Sequence, residues 1–377
     1  PYRNSEWPWS DGKLLTVDDN EMFVYPTDTL LYATDLYTDR AIGYVNRSLE
    51  TGNPFFLYLA YTAPHWPLHA LPEDIDRYRG RFSMGWDSLR MRRMENLMEQ
   101  GLIHPATQLP GRDPSVPAWN ELPAAEQMHQ QELMEVYAAM IDRMDQNIGR
   151  ILDQLAKNDQ LDRTIVFFLS DNGASRADRV PYLHERFSRE APPGTPESFT
   201  AYGPGWANAS NTPFRQFKAR VHEGGIATPF IAWNPERILP DRIDPTPAHI
   251  VDLMATCVSL SGSAYPESRN DEPVPPMAGV DLSPLFGGGV IDRQEPLFFE
   301  HHGCEAVRKD PYKLVRLKDQ PWELYHMVAD RTELNDLVPK VEEEVLMNLL
   351  DLYYSWAIEQ KVVPHDIVQK RTSIQPN

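Results

Sequence analysis

The sequence predicts an α/β fold with a mainly parallel sheet flanked by helices, followed by a smaller C-terminal subdomain of antiparallel sheet and helix. Before residue 290, helical apolar patterns alternate with short apolar runs that lack polar alternation. Such runs are typical of strands buried on both faces of a parallel sheet. After three glycines at 287–289, short strands separated by tight turns predict a small antiparallel sheet. We therefore expect two domains, at residues 1–290 and 291–377.

Each predicted element has a local reason in the sequence. Apolar residues at helical spacing predict the helices, and a Gly-Asn-Pro break at 52–54 ends the first one. Short apolar runs such as FFLYLAY and IVFFL predict the strands. In chain order we predict a loop at 1–27, a helix at 29–50, a strand at 55–61, an irregular polar region at 72–123, a helix at 126–158, a strand at 165–169, a long loop at 174–213, a strand at 229–233, a helix at 249–260, strands at 297–299, 305–308, 312–317 and 322–325, and a helix at 341–356.

Composition and charge limit the classes of function. The chain has 377 residues, of which 41% are hydrophobic, and a formal net charge of −19. These values predict a globular protein and argue against binding nucleic acid through a broad basic surface. The 2 cysteines are far apart and form neither a disulfide framework nor a paired metal motif. No apolar run reaches the length of a membrane span, so we expect neither a nucleic-acid nor a membrane partner.

The first residues resemble neither a signal peptide nor a natural start, because they lack Met and an apolar core. We therefore expect that the front of the chain was removed or that the chain is one piece of a larger protein. The sequence assigns no compartment.

The apolar run at 165–169 ends in Ser170, Asp171, Asn172 and Gly173. Open α/β sheets bind ligands at the carboxyl ends of their strands, and a carboxylate beside an amide carbonyl suits a hard cation. Adjacent residues of an extended chain point to opposite faces, so both can reach one ion only if the backbone turns, which Gly173 permits. An ordinary strand-to-turn exit is the alternative, because Asn-Gly is a common turn pair.

Two further segments carry residues suited to an anion. His65 follows the predicted strand at 55–61 in a proline-bracketed loop, where it either holds an anion or protonates a leaving group, or is an ordinary hydrogen-bonded loop histidine. Lys218 and His222 share one face if their segment is helical. They then form either a clamp for a tetrahedral anion such as sulfate or a solvated basic face. The Glu-Gly-Gly at 223–225 implies an unusual φ or a close backbone approach.

Five segments together resemble the type I, arylsulfatase-like sulfatases of the alkaline-phosphatase superfamily. They are FFLYLAYTAPHWPL, VYAAMIDRMDQNIGRIL, IVFFLSDNGA, NTPFRQFKARVHEGGIATPFI and WELYHMVADRTELNDL. The resemblance implies an alkaline-phosphatase-like α/β fold and hydrolysis of sulfate esters, either aryl sulfates or sulfated glycans, at a Ca²⁺ site, with Mg²⁺ as the alternative ion. By motif, Asp171 and Asn172 resemble the metal ligands of the family. His65 and Lys218 resemble its sulfate-binding residues, whereas the motif leaves the role of His222 open.

The resemblance also implies parts that this sequence does not contain. Family members carry an N-terminal Asp-Asp pair that ligates the metal and a Cys-x-Pro-Ser-Arg type motif whose Cys or Ser becomes the formylglycine nucleophile. We therefore expect the chain to be inactive alone, with the missing N-terminal portion of the same protein as its partner. Two other interpretations stay open, namely a phosphodiesterase or phosphonate monoester hydrolase of the same superfamily, and a non-catalytic relative that binds an anion or a glycan.

The loops at 72–123 and 174–213 are the expected walls of a substrate pocket. Their aromatic residues either stack on a sugar or pack within the loops. These residues are Trp86, Trp119, Tyr182, Tyr202 and Trp206.

Overall fold

A computed structural model describes residues 2–3, 15–17, 21–23, 31–178 and 191–372. Most of the loop predicted at 1–27, and Tyr182, therefore lie outside the described residues. The chain divides into two compact units, described in turn. Unit one comprises Pro1–Met91, Pro114–Leu161 and Arg176–Ala209, and unit two comprises Arg92–Asp113, Asp162–Ser175 and Ser210–Asn377. The domain boundary expected after residue 290 remains a prediction.

Unit one is mainly helical. Strands β1 and β4 pair antiparallel, as do β2 and β3, and helix α1 packs along α4. The predicted helices at 29–50 and 126–158 form as α1 and α4. The elements are β1 Tyr2–Arg3, β2 Leu15–Val17, β3 Glu21–Phe23, β4 Leu31–Tyr32, α1 Ala33–Thr51, α2 Pro72–Asp76, α3 Gly85–Glu99, which continues into the residues of unit two, α4 Ala124–Lys157, and α5 Gly203–Ser210, whose last residue belongs to unit two.

A polar contact joins α1 to α4. Arg143 donates two hydrogen bonds to the Asp35 carboxylate, at 2.8 and 2.6 Å, and Asn147 donates a third at 2.7 Å. Burial opposes ionisation of Asp35, but the bonds from Arg143 and Asn147 outweigh it and lower the pKa of that carboxyl. The charged hydrogen bonds therefore tie α1 to α4.

Three aromatic residues of the expected pocket walls, Trp86, Trp119 and Trp206, pack against each other. The indole of Trp86 lies 4.8 Å from that of Trp119 and 5.5 Å from that of Trp206. Trp206 is buried and donates to the backbone oxygen of Gln130 at 2.7 Å. Edge-to-face indoles of this kind stabilise a core, so packing, rather than sugar stacking, is the use that the structure shows.

One prediction for unit one was wrong. Residues 55–61, predicted as a strand buried on both faces, pair with no other described strand, and Phe56 and Tyr58 are 80% and 81% exposed. An apolar run becomes a strand only where another strand satisfies its backbone groups. The region at 72–123 was predicted as polar and irregular, with the basic cluster Arg90, Arg92 and Arg93 on a solvated helix face. It contains α2 and α3, and α3 carries the cluster, with Arg92 and Arg93 exposed but Arg90 buried.

Unit two combines a strand pair with the predicted C-terminal sheet. The four C-terminal strands are antiparallel in the order β12-β11-β10-β9, and α9 packs Leu349 and Tyr353 on Val307, Leu314 and Leu324 of that sheet. The elements are β5 Val166–Leu169, α6 Glu223–Ile226, β6 Phe230–Trp233, α7 Val251–Ser261, β7 Ser268–Arg269, β8 Glu272–Pro273, α8 Ser283–Phe286, β9 Leu297–His301, β10 Cys304–Lys309, β11 Tyr312–Arg316, β12 Glu323–His326, α9 Glu343–Glu359 and α10 His365–Thr372.

The strand that leads to Asp171 has one described partner. Strand β5 pairs with β6 in an antiparallel register, with Leu169 opposite Phe230, whereas the sequence predicted a mainly parallel sheet. Ile231 and Trp233 of β6 are exposed, although the run was predicted to be buried on both faces. An apolar run indicates that other parts of the protein can pack on a strand. It does not specify the direction of the neighbouring strand or which element packs on it. Among the described helices, none is long and apolar enough to cross a bilayer.

Candidate functional site

The loop after β5 presents two oxygen donors. Thr228 holds its first residue by donating to the Ser170 backbone oxygen at 2.8 Å. The Asp171 carboxylate is exposed and makes no hydrogen bond or ion pair with the described residues. The Asn172 amide nitrogen donates to the Gly173 oxygen at 3.1 Å, which leaves the amide oxygen of Asn172 as the group available for a ligand. The loop therefore carries one carboxylate and one amide oxygen that are open to a ligand, and their role as metal ligands stays a prediction.

Gly173 is required by a close backbone approach. Its N–H donates to the Gly225 oxygen at 3.0 Å, and a Cβ at this position would lie only 1.9 Å from the Gly224 oxygen. Gly173 is not among the residues with positive φ. The sequence suggested that this glycine allows a turn, but the structure shows that it allows the 223–225 segment to touch the loop.

The segment that carries Lys218 is bonded directly to the same loop. The Lys218 N–H donates to the Ala174 oxygen at 2.9 Å, and the Ala174 N–H donates to the Asn211 side-chain oxygen at 2.8 Å. Lys218 is half-buried, and its ammonium forms no ion pair within the described ranges. The structure therefore joins the segment of Lys218 to the loop that follows Asp171 and Asn172 by backbone hydrogen bonds.

This segment is not the helix that the Lys218 and His222 spacing suggested. It runs through turns, with left-handed backbone at Gln216 (φ 69°) and Ala219 (φ 70°). Residues other than glycine rarely adopt this conformation, and it costs about 1–3 kcal/mol where they do. Such strain persists only where the surrounding structure imposes the backbone path.

Two cations, Lys218 and Arg220, act on His301. Burial and the neighbouring His302 lower the pKa of His301, the Glu300 carboxylate opposes this, and the charges of Lys218 and Arg220 lower it further. His301 ends β9, more than 80 residues along the chain, so no local motif pointed to it. A region in which cations already repel one another favours an incoming anion.

His222 does not join Lys218 at this region. Its ring is fully buried, and Nε2 lies 2.9 Å from Oε2 of Glu323, which also accepts from the Tyr325 hydroxyl at 2.8 Å. The other ring nitrogen of His222 is buried without a hydrogen-bond partner among the described residues. For His222, both predicted alternatives are wrong. The residue lies neither on a solvated basic face nor in an anion clamp with Lys218, because it contacts β12 instead.

A buried ionic cluster follows directly in the chain. Lys313 of β11 is fully buried and bonds Glu223 at 2.8 Å and Glu333 at 2.9 Å, and Arg331 donates to Glu223 at 3.1 Å. Burial opposes ionisation of Glu223, but Lys313 and Arg331 outweigh it and lower its pKa to about 2. Sequence reasoning missed this ionic cluster because its members are up to 110 residues apart and carry no local signal.

His65 belongs to unit one and is exposed in the loop after residues 55–61. Its Nδ1 lies 2.7 Å from the Trp66 carbonyl oxygen. A carbonyl only accepts hydrogen bonds, so Nδ1 carries the proton and Nε2 is the nitrogen left for a ligand or a proton transfer. The nearby His69, which the sequence did not single out, is buried and bonded through Nε2 to the Ser198 oxygen at 2.6 Å.

The donor set fits part of a Ca²⁺ or Mg²⁺ site. Both ions prefer oxygen ligands, and Ca²⁺ takes about six to eight, of which Asp171 and Asn172 supply two side-chain donors. No group of three or more His, Cys, Asp or Glu side chains stands ready for a metal within residues 31–178 and 191–372. Within the described residues, the loop therefore offers two oxygen donors, which is fewer than Ca²⁺ takes.

Comparison with known proteins identifies the family. Residues 7–263 match the profile described as Sulfatase, so the chain belongs to the sulfatase family. An uncharacterised sulfatase of Schizosaccharomyces pombe is 32% identical over 367 residues, which covers 91% of this chain and 65% of that protein. The arylsulfatase of Klebsiella aerogenes is 32% identical over 286 residues, 74% of this chain and 61% of that protein. The chain thus spans less than two thirds of the length of these relatives.

Solved structures confirm the predicted alkaline-phosphatase-like α/β fold class. The crystal structure of Ps i-CgsB matches with a TM-score of 0.63 at 22% identity, covering 95% of this chain and 62% of that one. A second structure, determined with its substrate D-glucosamine-2-N,6-O-disulfate, matches with a TM-score of 0.57 at 18% identity, covering 92% and 73%.

Proposed function

We propose that the intact protein hydrolyses sulfate esters, either aryl sulfates or sulfated glycans, with Ca²⁺ as its metal and Mg²⁺ as the alternative. The observation that carries this proposal is that backbone hydrogen bonds of 2.9 and 3.0 Å join the segment of Lys218 and residues 223–225 to the loop that carries Asp171 and Asn172. Membership of the sulfatase family and a structural relative with a disulfated glucosamine substrate support the same reaction.

Each residue has a role that follows from its chemistry. Asp171 and Asn172 hold the metal through oxygen atoms, and the bound ion supplies Lewis-acid polarisation of the sulfate oxygens. Lys218 contributes a fixed positive charge toward the sulfate group, which stabilises negative charge that develops during transfer. His65, with its proton on Nδ1, binds the anion or exchanges a proton through Nε2.

We also propose that the rest of the site comes from the N-terminal portion of the same protein. The sulfatase resemblance assigns the formylglycine nucleophile and an Asp-Asp pair to that portion. Asp171 and Asn172 fall short of the number of oxygen ligands that Ca²⁺ takes, which agrees with ligands from elsewhere. On this proposal the 377-residue chain alone binds metal and sulfate but does not turn over.

Kinetics of the intact protein test the proposal. We expect the intact protein to hydrolyse 4-nitrophenyl sulfate. Lys218→Met should lower kcat by a factor of about 10²–10³, because it removes a charge aimed at the transferring group. The control Lys157→Met, at an exposed position, should change kcat little. Faster hydrolysis of bis(4-nitrophenyl) phosphate indicates the phosphodiesterase or phosphonate hydrolase alternative. Binding of a sulfated glycan with no hydrolysis of either ester indicates the non-catalytic alternative.

A further inference from the structure

We propose that the buried ionic cluster of Glu223, Lys313 and Glu333 positions the segments that carry Lys218 and Asp171. The cluster makes the C-terminal sheet a part of the site, although none of its three members touches the proposed ligands. This inference rests on the proposed function for its metal readout, but its structural core stands on contacts within unit two.

Burying the three charges of this cluster costs free energy of desolvation, so stability alone does not explain the cluster. Lys313 and Glu333 are fully buried and Glu223 is 2% exposed. Removing charges from water costs several kcal/mol per ion, and apolar residues of similar volume often give equal or greater stability. A buried ionic cluster is therefore better explained by a geometry that it imposes, and the contacts of its members show which geometry that is.

Glu333 accepts hydrogen bonds from both ends of the segment that carries Lys218. At one end, Arg215 donates to the Glu333 backbone oxygen at 2.7 Å, and at the other end the Glu223 N–H donates to its carboxylate at 3.0 Å. Glu333 itself has φ 56°, an unfavourable conformation that the surroundings must impose. Arg331 adds a contact at the first end, since its guanidinium lies 5.1 Å from the centre of the Phe214 ring.

The residues that follow Glu223 contact the loop after β5 directly. The next residue, Gly224, would contact a Gly173 Cβ at 1.9 Å, and Gly225 accepts the hydrogen bond of Gly173 at 3.0 Å. Because this contact is backbone on backbone, it has no side-chain rotation to absorb a displacement. A shift of Glu223 therefore moves the peptide that follows Asp171 and Asn172.

The test compares Lys313→Met with Arg316→Met in the 377-residue chain. Arg316 lies on the same strand β11 and ion-pairs with Glu305 of β10, so its loss weakens the sheet without reaching residues 215–225. Two readouts are taken, amide hydrogen exchange at Gly173 and Lys218, and Tb³⁺ luminescence competed with Ca²⁺.

We expect Lys313→Met to speed exchange of the Gly173 amide roughly tenfold or more, as local opening becomes easier. We expect it to weaken metal affinity about 10- to 100-fold, which is typical of residues that orient metal ligands. The Arg316→Met control should stay near wild type in both. Equal changes in the two variants, or no change in Lys313→Met, overturn the inference.

A second variant covers the case in which Lys313→Met does not fold, since it leaves two buried carboxylates without a cation. The triple variant Lys313→Met, Glu223→Gln, Glu333→Gln removes all three charges together. If its melting temperature is near that of the wild type, this variant should still show faster amide exchange and weaker metal binding. Wild-type values for both quantities overturn the inference. A wild-type chain that binds no Tb³⁺ refutes the proposed metal site, whereas the exchange comparison still decides the positioning role.

Discussion

Substitution of Gly173 by alanine tests the contact that joins the two predicted site motifs. The added Cβ would lie 1.9 Å from the Gly224 oxygen and 2.8 Å from its carbonyl carbon, and both are backbone atoms that cannot rotate away. Overpacking of this kind costs about 1–3 kcal/mol. Separation of the segments also breaks the bonds of the Gly173 and Lys218 amides, at 3.0 and 2.9 Å, each worth about 1 kcal/mol. We therefore expect a loss of roughly 3–5 kcal/mol.

Urea unfolding followed by circular dichroism measures this loss, with Gly149→Ala as the matched control. Gly149 lies within α4, and an added Cβ meets nothing within 4 Å, so the control should gain up to about 1 kcal/mol from better helix propensity. If Gly173→Ala unfolds at the same urea concentration as the wild type, the backbone contact is not as close as described and the reasoning fails.

Three further substitutions or titrations test separate parts of the account. Ala219→Gly should stabilise the chain by up to about 1 kcal/mol in urea unfolding, because it relieves the left-handed backbone at φ 70°, whereas Ala138→Gly within α4 should destabilise it by about 1 kcal/mol. Burial lowers the pKa of His69 from 6.5 to about 4, so the unfolded chain binds the extra proton between these values. Unfolding stability should therefore fall by about 3 kcal/mol as pH drops through that window, and His69→Gln should remove this dependence. An anion beside Lys218 raises the lowered pKa of His301, so calorimetry should show tighter sulfate binding as pH falls below 6.5, and less pH dependence in His301→Gln.

Each of these predictions has an outcome that contradicts it. Destabilisation by Ala219→Gly as large as that of Ala138→Gly would show that the backbone at 219 is not strained. An unchanged acid dependence in His69→Gln would place the titrating group elsewhere. Sulfate affinity that is independent of pH would mean that His301 lies too far from the anion to sense it.

The sequence predicted the elements whose signals are local. The helices α1, α4, α7 and α9 and the four C-terminal strands appear within a few residues of their predicted positions, because apolar spacing and breakers are encoded where the element forms. The run at 55–61 and the direction of β5 relative to β6 were not predictable in this way, because they depend on partners that are distant in the chain.

In the candidate site, too, the residues with a local sequence signal were predicted and the others were not. Asp171, Asn172 and Lys218 were proposed because each lies in a short motif. The structure joins their segments by backbone hydrogen bonds, and their roles stay predictions. His222 was misplaced because its i, i+4 spacing to Lys218 suggested a helix that does not form. Lys313 and His301 gave no signal, since their relation to the site arises only when the C-terminal sheet packs against residues 215–225.

The position of a bound calcium ion decides whether Asp171 and Asn172 are metal ligands. Crystals of the intact protein grown with Ca²⁺ can be measured near a wavelength at which calcium scatters anomalously. We predict an anomalous peak about 2.3–2.6 Å from a carboxylate oxygen of Asp171 and from the amide oxygen of Asn172, on the side facing Lys218. A calcium ion bound without either residue, in a protein that still hydrolyses sulfate esters, would contradict the account.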